Sequence, residues 1–277
     1  MSVENARADL ATLPPAAPGA LLRRLARSPW VARTVGGILI LLIWEFTVRA
    51  LAPAYVAKPS NINPVFFPVL TSATMLEQAW ATLSAVAQGL AISIVGGTII
   101  GLAMGRVRFV DRLLRVYVTG LYAMPMTAIL PLISLWFGYT EEARLATVVF
   151  AAFFSIVVNV SDGARAVPPE FIEVSRSFRG SAWSRLFDVI LPASVPYLLA
   201  GLRLAAGRAL IGAVVAEYFT TVQGIGYYIL FQARTFHHNE AFVGVGVLAL
   251  SGVLFEVALR QSTARFLPWY RRGERGG

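Results

Sequence analysis

The 277-residue chain has no cysteine, a single lysine and few charges of either sign. Without cysteine there is no disulfide, no thiolate-bound zinc and no thiol nucleophile. The lone lysine, Lys58, is followed by Pro59. A Walker A loop needs a glycine-rich turn closed by Lys-Ser or Lys-Thr, so none can be built here. ATP-driven work by this chain would need an ATPase on another polypeptide. Charged residues make up 14% of the sequence, against roughly 25% in an ordinary soluble domain. That is too few to coat a water-facing surface. The apolar residues, 57% of the total, are gathered in blocks, which points to a polytopic membrane protein.

Histidine is nearly absent too. His237 and His238 are adjacent, so they share no helical face, and no acid or further histidine stands at ligand spacing. No metal site is expected. The formal charge of +9 would suit nucleic acid, but the arginines mostly flank the apolar blocks. That pattern is the one membrane topology produces, because cytoplasmic loops accumulate Lys and Arg. No nucleic-acid partner is expected.

Six blocks are long enough to span a bilayer, which takes about 20 helical residues. They cover about 34–53, 83–105, 113–137, 143–161, 194–219 and 241–261. The third contains Pro125 and Pro131, which predict a kink. With the N-terminus inside, Arg7, Arg23, Arg24, Arg27 and Arg33 lie inside, as do Arg106, Arg108, Arg112 and Arg115. Arg165, Arg176, Arg179 and Arg185 join them, and Arg260, Arg265, Arg271, Arg272 and Arg275 follow. The outside holds only Lys58, Arg144 and Arg234, with Arg49 at its edge. The expectation is an all-α bundle of about six spans, N-in and C-in. Residues 1–33 would be a cytoplasmic tail with no cleaved signal, 34–262 the membrane domain and 263–277 a second basic tail.

The outer segments 54–80 and 220–240 each carry an apolar stretch suited to a short surface or re-entrant helix. Gly97, Gly101 and Gly105, and then Gly201, Ala205, Ala209 and Ala213, form small-residue ridges at four-residue spacing. Such ridges let helix backbones approach closely in lipid, within one chain or between two copies. A charge at the bilayer centre costs about 2.5–3.5 kcal/mol on insertion scales. Glu45 and Arg49 offset this as an i,i+4 pair, and Glu256 is expected to pair with Arg260. Arg208 and Glu217 in the fifth block are candidates for the substrate path.

The segment 162–192 is different in kind. Pro168-Pro169-Glu170 reads as a helix start, with proline tolerated and acid favoured in the first turn. Phe171, Ile172, Val174 and Phe178 supply an apolar side; Ser175, Arg176 and Arg179 supply a polar one. Gly180-Ser181 would break the helix through the freedom of glycine. Trp183, Leu186, Phe187 and Ile190 make a second amphipathic stretch that Leu191-Pro192 would end. Such a helix–turn–helix fits a groove on a partner or the surface of the inner leaflet.

Glu173-Val174-Ser175, a glycine nearby, and Val189-Ile190-Leu191-Pro192 resemble the "EAA" loop of binding-protein-dependent ABC importer permeases. That pattern is E-A-A, three residues, G, nine residues, I-x-L-P. Glu173, Leu191 and Pro192 fall on its register; Arg179 stands at the family's glycine and Gly180 follows it. Leu135-Trp136-Phe137-Gly138, Gly201-Leu202-Arg203, Ala216-Glu217 and Gly224-Ile225-Gly226-Tyr227 are similar to the nitrate/sulfonate/taurine branch. The resemblance implies a non-catalytic permease subunit in a bacterial inner membrane, paired with a second copy. It implies a separate ATPase that uses ATP and Mg, and a binding protein that delivers substrate from outside. The loop helices would dock into the ATPase through Glu173, Ser175, Arg176, Phe178, Arg179, Gly180, Trp183, Leu191 and Pro192. The solute would be a sulfonate, taurine, nitrate or similar, or a vitamin precursor. A self-sufficient secondary transporter is the rival reading; it would predict uptake without an ATPase, and the paired broken helices of two repeats are not visible.

Overall fold

A computed structural model describes residues 29–53 and 56–266. Its described residues form helices and no strands. The tails expected at 1–33 and 263–277 mostly fall outside the described residues. Where they do not, they are helical: α1 (Pro29–Leu51) takes in the last five residues of the expected N-terminal tail, and the last helix runs to Phe266.

The chain divides into two units, one ending at Asn61 and the other starting at Ile62. In the first, α1 leaves Ile38, Leu39, Ile40, Ile43 and Phe46 exposed, as a lipid-facing span requires. Glu45 and Arg49 form the expected pair. The Glu45 carboxylate also accepts the Ser60 N–H (3.0 Å) and Ser60 hydroxyl (2.8 Å) where α2 (Pro59–Leu70) begins.

The second unit is organised around one helix. The order after α2 is α3 (Ala73–Arg106), α4 (Arg108–Ala123), α5 (Met126–Phe137), α6 (Glu141–Arg165), α7 (Pro169–Ser177), α8 (Ala182–Ser184), α9 (Leu191–Thr220), α10 (Ile225–Arg234) and α11 (His238–Phe266). Helix α6 lies between α3 and α9. Its Val148, Ala152, Ile156 and Val160 fill the core with Val86 and Leu90 of α3 and Ala205, Ala209 and Ala213 of α9, all buried. Both small-residue ridges face α6. A Cβ on Gly101 would lie 2.8 Å from the Val157 carbonyl, and one on Gly201 would lie 2.9 Å from Asn159. The ridges therefore serve packing within the chain, where close backbones gain van der Waals contact that lipid cannot offer. A second cluster joins Met75 of α3, Ile225, Tyr228 and Ile229 of α10, and Val243 and Val247 of α11.

Among the described residues, five helices are long and apolar enough to cross a membrane, and α4 with α5 makes a sixth only as a bent pair, turned by 105°. The expected single kinked span over 113–137 is thus two helices. Met124 and Pro125 are extended between them. Pro125 has no N–H to donate to α4 and its ring excludes a preceding helical turn. Pro131, by contrast, is carried inside α5. The short helices expected in 54–80 and 220–240 appear as α2 and α10. Glu256 pairs with Arg203 of α9 at 3.1 Å, not with Arg260; the neighbouring helix offers the closer guanidinium.

Candidate functional site

Three places carry chemistry. The first is the turn after α6. Pro168 caps α7 and Pro169 opens it, as the double proline predicts. Ile172 points into a small core with Ala164, Val167 and Ile190, which leaves Phe171, Val174 and Phe178 outside. Helix α7 ends in a Schellman motif: Gly180 N–H donates to the Ser175 carbonyl and Arg179 N–H to the Arg176 carbonyl, both at 2.8 Å.

The residue in the left-handed conformation is Arg179 (φ 55°), not Gly180. The turn therefore keeps the register of the E-A-A pattern, with an arginine where that pattern has glycine. Gly180 is needed for a different reason: a Cβ there would come within 2.7 Å of the Ser175 hydroxyl and 2.8 Å of its carbonyl. Ser181 then caps the next helix by accepting the Ser184 N–H at 3.1 Å.

Leu191-Pro192 does not end that helix. Ala182 to Thr220 is one 39-residue run, with a π-helical turn at Arg185–Ile190. There Leu191 N–H reaches back to the Leu186 carbonyl. The widened ladder makes room for the Pro192 ring beside carbonyls that ordinary α-helical bonding would bring against it.

The outcome is an exposed apolar surface at this end of the bundle. Phe178 is 84% and Trp183 70% exposed, and Trp183 stacks on Phe187 with ring centres 5.7 Å apart. Glu173, Arg176 and Arg179 are exposed beside them, Pro192 is exposed, and Ser175, Gly180 and Leu191 are partly buried. A cleft of about 430 Å³ opens between Phe171, Val174 and Ser175 of α7 and Asp188 and Val189 of the π turn.

The second place is at the other end of α9. Glu217 is fully buried. Its carboxylate accepts the Thr82 hydroxyl and the Gly226 N–H, each at 2.8 Å, and lies 3.5 Å from Arg144. Thr82 in turn accepts the Ile225 N–H at 2.8 Å, and Arg144 donates to the Gln223 carbonyl. The acid thus caps the N-terminus of α10, where unpaired N–H groups favour negative charge. Four segments meet on one carboxylate, in packed interior and not on an open channel.

Arg144 and Thr82 were not singled out from sequence. Nothing near Arg144 marks it as the partner of an acid 73 positions on. Its one signal was a charge entering an apolar block.

The third place holds Arg208. Its guanidinium lies 4.0 Å from the centre of the Tyr122 ring and donates to the Tyr122 carbonyl at 3.3 Å. It faces a cavity of about 390 Å³ at the α4–α5 break, walled by Met124, Met126, Phe150 and Phe154. Of the two substrate-path candidates, Arg208 lines this cavity and Glu217 is fully buried. His237 and His238 bring no acid cluster with them; among the described residues no group of three or more His, Cys, Asp or Glu could hold a metal.

The sequence of residues 93–271 matches the family model described as "Binding-protein-dependent transport system inner membrane component". Among curated relatives, the formylaminopyrimidine transport permease protein ThiX of Halalkalibacterium halodurans is 29% identical over 236 residues, 85% of this chain and 94% of that protein. The taurine transport system permease protein TauC of Escherichia coli is 25% identical over 248 residues, 87% and 90% of the two chains. The nitrate import permease protein NrtB of Synechocystis is 27% identical over 241 residues, 83% and 86%. Among solved structures, an amino acid ABC transporter with histidines superposes with a TM-score of 0.56 over 74% of this chain and 95% of that one. At 16% identity that likeness speaks for the fold alone.

Proposed function

This chain belongs to the family of binding-protein-dependent transport system inner membrane components, and from that premise we propose how it works within an importer. The family's members are multi-pass membrane permease components for small solutes, not enzymes. In our reading this chain forms the translocation path with a second copy of itself, N-in and C-in. A separate cytoplasmic subunit binds ATP and Mg and hydrolyses ATP, since the chain has no Walker A loop. An extracytoplasmic protein delivers the solute at the α2 and α10 end. The solute is a sulfonate, taurine, nitrate or similar small solute; another small organic molecule, such as a vitamin precursor, is the second choice.

One observation carries the coupling role: Phe178 and Trp183 stand exposed on a turn that Ser175, Arg179 and Gly180 lock by backbone bonds. Rigid aromatic groups with charged neighbours are the anchors expected at an interface. Phe178 and Trp183 fill an apolar slot on the ATPase, and Glu173, Arg176 and Arg179 pair with its charges. Leu191 and Pro192 carry the movement into α9, because the helix is unbroken there.

The test is gentle purification of the chain from its native membrane. A nucleotide-hydrolysing subunit of unrelated sequence is expected to co-purify, and to be lost on Trp183→Ala or Glu173→Arg while the permease stays folded. Undiminished association in both variants, or solute uptake with no ATPase present, refutes the reading.

A further inference from the structure

Arg208 is the eighteenth residue of the thirty in α9. Within the apolar block 194–219 it stands about 17 Å from one end and about 21 Å from the other at 1.5 Å per residue, well inside the hydrocarbon layer. Its side chain is exposed. A guanidinium facing lipid at that depth is strongly disfavoured. Other arginines in the spans or at their ends meet carboxylates: Arg49 meets Glu45, Arg144 meets Glu217, Arg165 meets Asp111 and Arg203 meets Glu256. Arg208 meets only the ring and carbonyl of Tyr122, both electron-rich, which orient it without neutralising it. Among the described residues, no carboxylate is within ion-pair distance of it.

A second observation is independent of the charge. The cavity before Arg208 is bounded by the extended Met124-Pro125 step. Irregular backbone at membrane depth persists only where protein buries it or water reaches it, and Met124 and Pro125 are exposed. Broken helix and unneutralised guanidinium meet at one cavity, which is the signature of an aqueous path.

We propose that Arg208, oriented by Tyr122, is a specificity-determining waypoint that receives the negative group of a small organic anion while Met124, Met126, Phe150 and Phe154 hold its apolar part. This rests on the permease reading above and adds to it the charge of the cargo and the place it pauses. A cavity of about 390 Å³ falls within the usual range for small-molecule sites.

The absence of cysteine makes a clean test. Ile211, one turn from Arg208 on the same cavity, is replaced by Cys in the full chain in native membranes. Labelling is followed with anionic sulfonatoethyl methanethiosulfonate and cationic trimethylammonioethyl methanethiosulfonate, each rate divided by that with free thiol in solution. The anionic reagent is expected to react about tenfold faster. Arg208→Gln should abolish the preference, Arg208→Lys should keep part of it, and butanesulfonate should slow labelling only where the cation is present. Absence of labelling overturns the proposal. So does labelling with no charge preference, or a preference that survives Arg208→Gln. ATPase co-purification on the same membranes reports separately on the permease reading and on the folding of each variant.

Discussion

A Cβ on Gly224 would fall 2.1 Å from the Glu217 carboxyl carbon. No side chain can be accommodated there, so the loop from Thr221 to Gly226 has one way to lie over the acid. Gly226 is almost as restricted, at 2.9 Å from a Glu217 oxygen and from the Val214 carbonyl. The glycines are present because the carboxylate is, and the carboxylate is tolerated because backbone N–H groups, Thr82 and Arg144 surround it.

The first prediction concerns this cluster. Glu217→Ala leaves Arg144 buried without its acid and should cost about 3–5 kcal/mol. Glu217→Gln keeps the shape and should cost about 1–3 kcal/mol. The double change Glu217→Gln with Arg144→Met should cost less than the sum of its parts. Thermal unfolding of the purified chain in detergent gives the ranking; equal losses in all three would show that the acid is not the centre of the cluster.

The second concerns the α7 turn. An L-residue in the left-handed region costs roughly 1–2 kcal/mol. Arg179→Gly should therefore raise the unfolding temperature slightly, whereas Gly180→Ala, blocked by the Ser175 carbonyl, should lower it. A loss of stability on Arg179→Gly, or none on Gly180→Ala, would overturn this assignment of the turn.

A third prediction separates stability from coupling. Phe178→Ala and Trp183→Ala remove exposed side chains, so unfolding temperatures should stay within the shift of about 0.5 kcal/mol typical of surface changes. ATPase association should fall by about tenfold or more, as truncation of an interface anchor does. A pull-down titration alongside the melting curve reads both; a large stability loss with unchanged association would make these residues structural.

The fourth contrasts two glycines. Gly101→Ala must push against the Val157 carbonyl and Val160 at 2.8 Å and should destabilise by about 1–3 kcal/mol. Gly120 on α4 has nothing within 4 Å of a Cβ, so Gly120→Ala should be neutral or gain about 0.5–1 kcal/mol of helix propensity. Melting curves of the two variants should move apart.

Much of this architecture could be read from residue order alone. Apolar blocks 20 residues long mark spans because the bilayer sets the length. The Pro168-Pro169 start and the ridges through Gly101 and Ala209 follow from local chemistry at fixed spacing. The bend at Met124 was not legible, because Pro125 and Pro131 look alike in sequence and only the packing decides which one breaks the helix. Pro192 misled for the opposite reason: a π turn upstream absorbs a proline that would otherwise end the helix. The partners of Glu217 come from Thr82 and Arg144, far apart in the chain, and no local pattern records such a meeting.

The run from Ala182 to Thr220 has a mechanical corollary. Thirty-nine residues at 1.5 Å each make a beam of about 58 Å, with Trp183 near one tip and the Glu217 cluster near the other. Pivoting by about 10° about either tip would sweep the opposite one through about 10 Å. A force applied at Trp183 would reach α10 along this single run, since Glu217 fastens α10 to the far tip.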